Sequence, residues 1–307
     1  MTKVFIDGSA GTTGLRIVDR LSAREDLELI ILPDELRKDT SARADALSTA
    51  DIAFLCLPDD AAKESAALAK GMKVKIIDTS TAHRVDPDWV YGMPELAGQA
   101  KKILASSRIA NPGCHASGFV ALVAPLVQAG IIPKETLLSS FSLTGYSGGG
   151  KKMIAEYEAA DRSPLLNGPR QYALTQSHKH LKEMVKLCGL ENTPVFCPIV
   201  GDFYSGMEVT VPLFAKDIRG SIEDIKKLYA AFYQNGLIRY TEETDPDGML
   251  SAAAFSGRDD MCVSVVGNED RILLVSRFDN LGKGASGAAI QNMNLLLGLN
   301  QATGLNV

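Results

Sequence analysis

Several things are scarce in this chain. Its 307 residues hold only four histidines, and no Lys/Arg cluster runs longer than two residues. With a net charge of −5, that argues against a nucleic-acid partner, which needs a concentrated basic surface. No apolar run is long enough to span a bilayer, so no membrane partner is expected. The five cysteines are an odd number and never fall in CxxC spacing. That excludes a disulfide framework and a Cys-based zinc site, and suits a reducing cytoplasm. HExxH is absent, so no metal is expected. The first residues enter a strand with no basic leader, so no export signal is expected either. There is no internal repeat and no low-complexity tract. The composition, 46% hydrophobic and 22% charged, fits a soluble globular protein with room for two domains.

The first third reads as a dinucleotide-binding unit. Lys3 to Ile6 forms an apolar strand, and an amphipathic helix carries Leu15, Ile17, Val18 and Leu21. Between them lie Gly8, Ser9, Ala10, Gly11, Thr12, Thr13 and Gly14. Gly8 suits the tight turn, Gly11 the approach of a pyrophosphate, and Gly14 helix–strand packing. Thr12 and Thr13 are placed to donate to phosphate oxygens at the helix N-terminus. The second strand, Leu27 to Leu32, ends at two conflicting cues. Asp34 suits the ribose hydroxyl of NAD, whereas Arg37 and Lys38 suit the 2′-phosphate of NADP. The two cations favour NADP(H).

Ile52 to Leu57 is a continuous apolar run of the central parallel-strand kind, ending at Pro58, a cofactor-side candidate. Val74 to Ile77 is the next strand. It runs into Asp78-Thr79-Ser80-Thr81-Ala82-His83-Arg84, a polar loop at a strand's carboxyl end, where open α/β sheets bind ligands. Ser80 is a candidate for cofactor contact and Arg84 for bidentate recognition of a substrate anion. Tyr91 to Leu96 is a turn without chemistry of its own.

Asn111-Pro112-Gly113-Cys114 separates a strand ending at Ala110 from a helical run, Phe119 to Ala129. Pro112 and Gly113 break the backbone, which places Cys114 in the first helical turn. Amide N–H groups and the positive dipole end collect there and favour thiolate, the nucleophilic form. Cys56, Cys188, Cys197 and Cys262 lie in or beside apolar runs and read as core.

From Leu137 the pattern becomes α+β with a mostly antiparallel sheet. Strands are expected at 137–144, 195–200, 206–214, 262–266 and 272–278, the last two joined as a hairpin at 267–270. Ser147 and Gly148 lie in a Gly-rich loop with Lys151 and Lys152, suited to phosphate or carboxylate. His178 and His180 open a helix ending near Cys188. They cannot share one helical face, so one is expected at the cap and one in the first turn. At least one should act as a proton shuttle, His178 taken first and His180 second. Glu183 is a substrate-side candidate that can also orient an imidazole. After Asn280, a candidate for the nicotinamide amide, the helix from Ala288 to Leu299 is expected to return to the dinucleotide unit. The domains are therefore drawn as 1–113 with 285–307, a Rossmann-type unit, and 114–284, a catalytic and oligomerisation unit.

The order GSAGTTG, NPGC, SGGGKK, HKH and DNLGKGASGAA resembles the N-acetyl-gamma-glutamyl-phosphate reductases of arginine biosynthesis, in their shorter form. These sit in a broader group with aspartate-semialdehyde and glyceraldehyde-3-phosphate dehydrogenases. His115-Ala116-Ser117 stands where many longer relatives have Tyr-Pro-Thr, and Ser80 to Arg84 where they have a Ser-Ala-Asp-Phe-Arg type run. Both departures match the short form. The resemblance implies NADPH-dependent reduction of N-acetyl-glutamyl 5-phosphate to the 5-semialdehyde, with phosphate released and Cys114 carrying a thioester. It implies Arg84, Ser147 and Gly148 at the substrate, and a cytoplasmic homodimer or homotetramer. An aspartate-semialdehyde dehydrogenase, a noncatalytic NADP-binding sensor and a Cys-based peroxidase are the competing readings.

Overall fold

The structure, a computed structural model, describes residues 1–307 and divides into two compact units. The first comprises Met1–Pro94, Gly98–Pro112 and Ala285–Leu305. Its strands are β1 (Thr2–Asp7), β2 (Leu27–Ile30), β3 (Ile52–Leu55), β4 (Lys75–Asp78), β5 (Val90–Tyr91) and β6 (Arg108–Ala110). Between them run the helices α1 (Thr12–Leu21), α2 (Thr40–Thr49), α3 (Asp59–Leu68) and α4 (Gln99–Ala105). The sheet order is β2-β1-β3-β4-β6-β5 and every pairing is parallel.

Such a sheet is covered on both faces, and the period of two sorts its side chains into two cores. Val4, Ile6, Ile52 and Phe54 point into one, with Ile17 and Leu21 of α1. Phe5, Ala53 and Leu55 point into the other, with Ala46 and Leu47 of α2 and Ala62 of α3. All four residues of β3 are buried, which is why it reads as an unbroken apolar run. Each large side chain so buried contributes about 1.5–3 kcal/mol.

The second unit comprises Glu95–Ala97, Gly113–Gly284 and Asn306–Val307. Its helices are α5 (Cys114–Gln128), α6 (Gly150–Glu158), α7 (Leu181–Cys188) and α8 (Ile222–Phe232). Its strands are β7 (Ser139–Gly145), β8 (Arg170–Gln171), β9 (Val195–Gly201), β10 (Met207–Phe214), β11 (Ile238–Tyr240), β12 (Met261–Gly267) and β13 (Arg271–Phe278). The sheet order is β11-β12-β13-β10-β7-β9-β8. Four of the six pairings are antiparallel, but β7–β9 and β11–β12 are parallel, so the sheet is mixed. Alternation along a strand reports which face is covered and not the direction of the neighbour.

Helix α5 is the axis of this unit and is buried along nearly all of its length. A Cβ on Gly118 would lie 2.5 Å from Val209 and 2.7 Å from Ser276, so only glycine lets α5 settle onto β10 and β13. Pro125 inside α5 lacks an N–H and strands the carbonyl one turn back, that of Ala121. The hydroxyl of Tyr233 donates to that carbonyl at 2.6 Å, and Tyr229 of α8 donates to the next, Leu122. Tyr233 thus satisfies the carbonyl that the proline leaves open.

The chain finally returns to the first unit as α9 (Gly287–Leu296), where Ala289, Ile290 and Met293 join the core that holds Val4 and Ile6. No helix is long and apolar enough to cross a membrane.

Candidate active site

In the first unit, β1 runs directly into the glycine loop. Gly8 has φ +86°, and a Cβ there would lie 2.3 Å from the Cys56 carbonyl oxygen. A Cβ on Gly14 would lie 2.3 Å from the Gly8 carbonyl oxygen, so helix and loop pack backbone to backbone. Gly11 is the N-cap of α1 and no side chain caps it, which leaves the first-turn amides of Thr12 and Thr13 to an anion. Ser9 and Ala10 lie at the loop tip. Beneath them Asp7 is buried and accepts from Arg43 Nε at 3.1 Å and from Ser65 Oγ at 2.7 Å. The loop therefore rests on a satisfied carboxylate that ties β1 to α2 and α3. This geometry fits a dinucleotide pyrophosphate. Pro58 is the exposed N-cap of α3. The two conflicting cofactor cues meet each other, since Arg37 lies 3.3 Å from Asp34 on the surface. Lys38 is exposed beside them.

The loop after β4 is organised by Asp78, which is fully buried. Its carboxylate accepts from Ser80 N at 2.9 Å and Ser80 Oγ at 2.7 Å, and meets His83 Nδ1 at 2.6 Å. The His83 ring stacks on Trp89 with centroids 4.0 Å apart. Ser80, a cofactor candidate by sequence, is thus occupied in holding its own loop. Arg84 follows, half-buried, donating from Nη2 to the Thr79 carbonyl at 3.0 Å.

In the second unit Cys114 is the first residue of α5, half-buried, behind an N-cap glycine that has no side chain to offer. The Gly113 N–H donates to Glu183 Oε2 at 3.0 Å. A Cβ on Gly284 would stand 3.0 Å from the Cys114 Cβ, so backbone closes over this turn. The neighbouring His115 is buried, with Nδ1 2.6 Å from Ser142 Oγ and Nε2 2.6 Å from Tyr172 OH. Burial, reinforced by the charge of His178, pulls its pKa down to about 3, so the ring is neutral at physiological pH. Burial and the nearby Cys114 charge push the Tyr172 hydroxyl up, and it stays protonated.

His180 is buried at the N-cap of α7, with Nε2 4.0 Å from Glu183 Oε1. His178 precedes the helix, and its Nδ1 accepts from the His180 N–H at 3.2 Å. Neither histidine lies in the first helical turn, because the segment from Ser177 is a turn and α7 begins only at Leu181. The turn sets the two rings differently against Cys114. The ligand atoms of Cys114, His115 and His180 all fall within 4.8 Å of one another, and His178 is not in that set.

Ser147 is buried, and its Oγ accepts from Asn280 Nδ2 at 3.0 Å. Asn280 Oδ1 accepts from the Gly206 N–H at 2.9 Å, so both ends of the amide proposed for nicotinamide are engaged within the second unit. Gly148 lies against the same amide, 3.4 Å from a would-be Cβ. The featureless turn near Leu96 also has a task, since Glu95 pairs with Lys283 at 2.6 Å, both buried.

Comparison with known proteins bears on the whole chain. Residues 31–103 match the family described as semialdehyde dehydrogenase, NAD binding domain, and residues 114–280 match semialdehyde dehydrogenase, dimerisation domain. An N-acetyl-gamma-glutamyl-phosphate reductase of Nostoc sp. is 44% identical over 99% of both chains. One of Brucella ovis is 45% identical over 96% of this chain and 99% of its own. The chain belongs to the N-acetyl-gamma-glutamyl-phosphate reductase family. Aspartate semialdehyde dehydrogenase II of Vibrio cholerae superposes with a TM-score of 0.73 at 18% identity, covering 97% of this chain and 98% of its own. That likeness is one of fold.

As a reductase of this family, the chain carries residues around Cys114 that sequence reasoning passed over, chiefly His115, Ser142 and Tyr172. A signal for two of them was present. In β7 the polar residues Ser140, Ser142 and Thr144 alternate with Phe141 and Leu143, and the polar set is the buried one. Buried hydroxyls in a strand need partners, and Ser142 finds His115. Tyr172, by contrast, sits in an irregular connection where no period marks it. Cys188 and Cys262 are buried as expected of core residues, whereas Cys56 and Cys197 are half-buried; burial raises the thiols of Cys188 and Cys262, and that of Cys56 to about 12.

Proposed function

We propose that this chain reduces N-acetyl-L-glutamyl 5-phosphate to N-acetyl-L-glutamate 5-semialdehyde, with release of phosphate, through a thioester on Cys114. The observation that carries this reading is the Cys114 sulfur at the first turn of α5, within 4.8 Å of an imidazole nitrogen of His180. His180 takes the thiol proton as sulfur attacks the acyl carbon. The carbon–oxygen bond to phosphate then breaks, leaving the acyl group on sulfur. NADPH, held by Gly8 to Gly14 with Pro58 and Ser80 beside them and Arg37 and Lys38 toward the 2′-phosphate, supplies the hydride when bound. As the carbon–sulfur bond breaks, His180 returns the proton to sulfur. A thioester accepts hydride far more readily than a carboxylate, which is the reason for covalent catalysis. First-turn amides of α5 steady the oxyanion, an effect of about 3 kcal/mol per donor. Glu183 orients His180 while anchoring Gly113. The neutral His115, fixed by Ser142 and Tyr172, shapes the wall beside the sulfur. Arg84, Ser147 and Gly148 are the proposed contacts of substrate anions.

Self-association belongs to the same reading, as does residence in the cytoplasm. The outward face of the seven-stranded sheet is apolar, with Phe141, Val195, Phe214 and Leu273 exposed, while β7 buries its hydroxyls. A sheet that turns Phe and Leu outward and Ser inward is suited to a second copy of itself, as a homodimer or within a homotetramer. Phe141→Asp should shift the protein toward monomer in analytical ultracentrifugation.

The direct test is phosphate-dependent reduction of NADP by N-acetyl-glutamate 5-semialdehyde, run beside aspartate 4-semialdehyde and beside NAD. Turnover confined to the acetylated substrate supports the proposal. Preference for the free amino substrate would mark an aspartate-semialdehyde dehydrogenase instead, and cofactor binding without turnover a sensor.

A further inference from the structure

The trio Cys114, His115 and His180 has a second chemistry. A thiol sulfur and two imidazole nitrogens, all within 4.8 Å of one another, form a ligand set for a thiophilic divalent cation. Around a tetrahedral zinc, nitrogen and sulfur ligands stand about 3.3–3.6 Å apart, as follows from bond lengths of roughly 2.0–2.3 Å. Side-chain movements of about 1 Å would close the set, well within the reach of χ rotations. We propose that these three residues form a Zn2+-class cation site whose occupation reversibly silences the Cys114 nucleophile.

The surroundings favour this use. Cys114 and His115 are consecutive at the start of α5, and His180 is fixed at the N-cap of α7, so regular elements supply all three ligands. Glu183 Oε1, 4.0 Å from His180 Nε2, places a carboxylate beside a ligating ring, an arrangement that raises imidazole basicity. His115 has two hydroxyl partners, Ser142 and Tyr172. The ion replaces one of them, and the other goes on orienting the ring. Three protein ligands leave a fourth position for water or a substrate oxygen. The step balances simply: a sulfur–metal bond forms and the thiol proton passes to solvent. No electron transfer and no other reactant is involved. Held by the metal, the sulfur lone pair is withdrawn from acyl attack until a chelator removes the ion.

The test uses the full chain, reduced and stripped with chelator, titrated with Cd2+ and followed by the ultraviolet thiolate-to-cadmium band. One Cd2+ per chain is expected, with the band lost in Cys114→Ser and the apparent affinity at least tenfold weaker in His180→Asn. His115→Asn should weaken it similarly. Should that buried change unfold the protein, His180→Asn and His180→Gln carry the argument. Added Zn2+ should also protect Cys114 from iodoacetamide, read by peptide mass spectrometry, and chelator should restore both alkylation and turnover. A band that persists in Cys114→Ser would overturn the proposal, as would equal affinity in wild type and His180→Asn, or no band at all. The absorbance reading does not depend on turnover. A protein that binds Cd2+ here yet reduces no acyl phosphate would contradict the proposed function alone, and one with full turnover and no band would contradict the metal site alone.

Discussion

Each unit contains one histidine beside a buried carboxylate, and the two pairs are built differently. In the first unit His83 meets Asp78 at 2.6 Å, and the same carboxylate holds both the N–H and the hydroxyl of Ser80. Its ring is stacked on Trp89. In the second unit His180 stands 4.0 Å from Glu183, whose other oxygen takes the Gly113 N–H. In the tighter pair both carboxylate oxygens of Asp78 are used to fix the loop that presents Arg84. The looser pair holds His180 at the longer separation of 4.0 Å, and it stands beside a thiol. Closeness of histidine to carboxylate is therefore no measure of proton-transfer duty. The decisive matter is whether a reactive group shares the ring's surroundings.

That contrast can be broken or sharpened by substitution. The largest effect should come from Cys114→Ser, which is expected to lower turnover by about 10^3-fold or more while leaving the circular dichroism spectrum unchanged. Next, His180→Asn should lower kcat by roughly 10^2–10^4-fold, whereas His83→Asn should leave kcat within a few-fold. The His83 change should instead cost about 1–3 kcal/mol in urea unfolding, because Asp78 loses a buried partner. A His83 variant as inactive as the His180 variant would erase the distinction between the pairs. Glu183→Gln keeps an acceptor for Gly113 but removes the charge near His180. It should lower kcat about tenfold and move the alkaline or acid limb of the pH profile, with KM little changed.

The last effect concerns stability and not turnover. Folding depresses the His115 pKa from 6.5 to about 3, so between those values the unfolded chain binds the extra proton. Stability from this residue is therefore intact above pH 6.5 and lost as pH falls toward 3, by up to about 1.4 kcal/mol per pH unit. In chelator-treated protein, urea midpoints between pH 4 and 6.5 should fall less steeply for His115→Asn than for wild type.

What the sequence made legible follows the same divide between local and assembled features. The turn at Gly8, the cap at Gly11 and the packing at Gly14 are contiguous, so residue spacing alone describes them. Cys114 was readable for the same reason, since Pro112 and Gly113 stop one element immediately before the next begins. The Ser142–His115–Tyr172 set joins a strand, a helix start and a loop far apart along the chain, and beyond the polar alternation of β7 nothing local marks it. Which of His178 and His180 stands at the N-cap depended on where α7 starts, a boundary of a few residues that periodicity does not fix. The parallel β7–β9 pairing was hidden because alternation is blind to strand direction. The partners of Asn280, Gly206 and Ser147, come from two other segments, so its hydrogen bonds were not legible along the chain.

The central claim is that an acyl group rests on the Cys114 sulfur. Acid-quenched enzyme, mixed with N-acetyl-glutamyl 5-phosphate in the absence of NADPH, should show by peptide mass spectrometry an N-acetylglutamyl adduct on Cys114, discharged when NADPH is added before the quench. An unmodified Cys114 under those conditions, or an adduct on any other residue, would contradict the account.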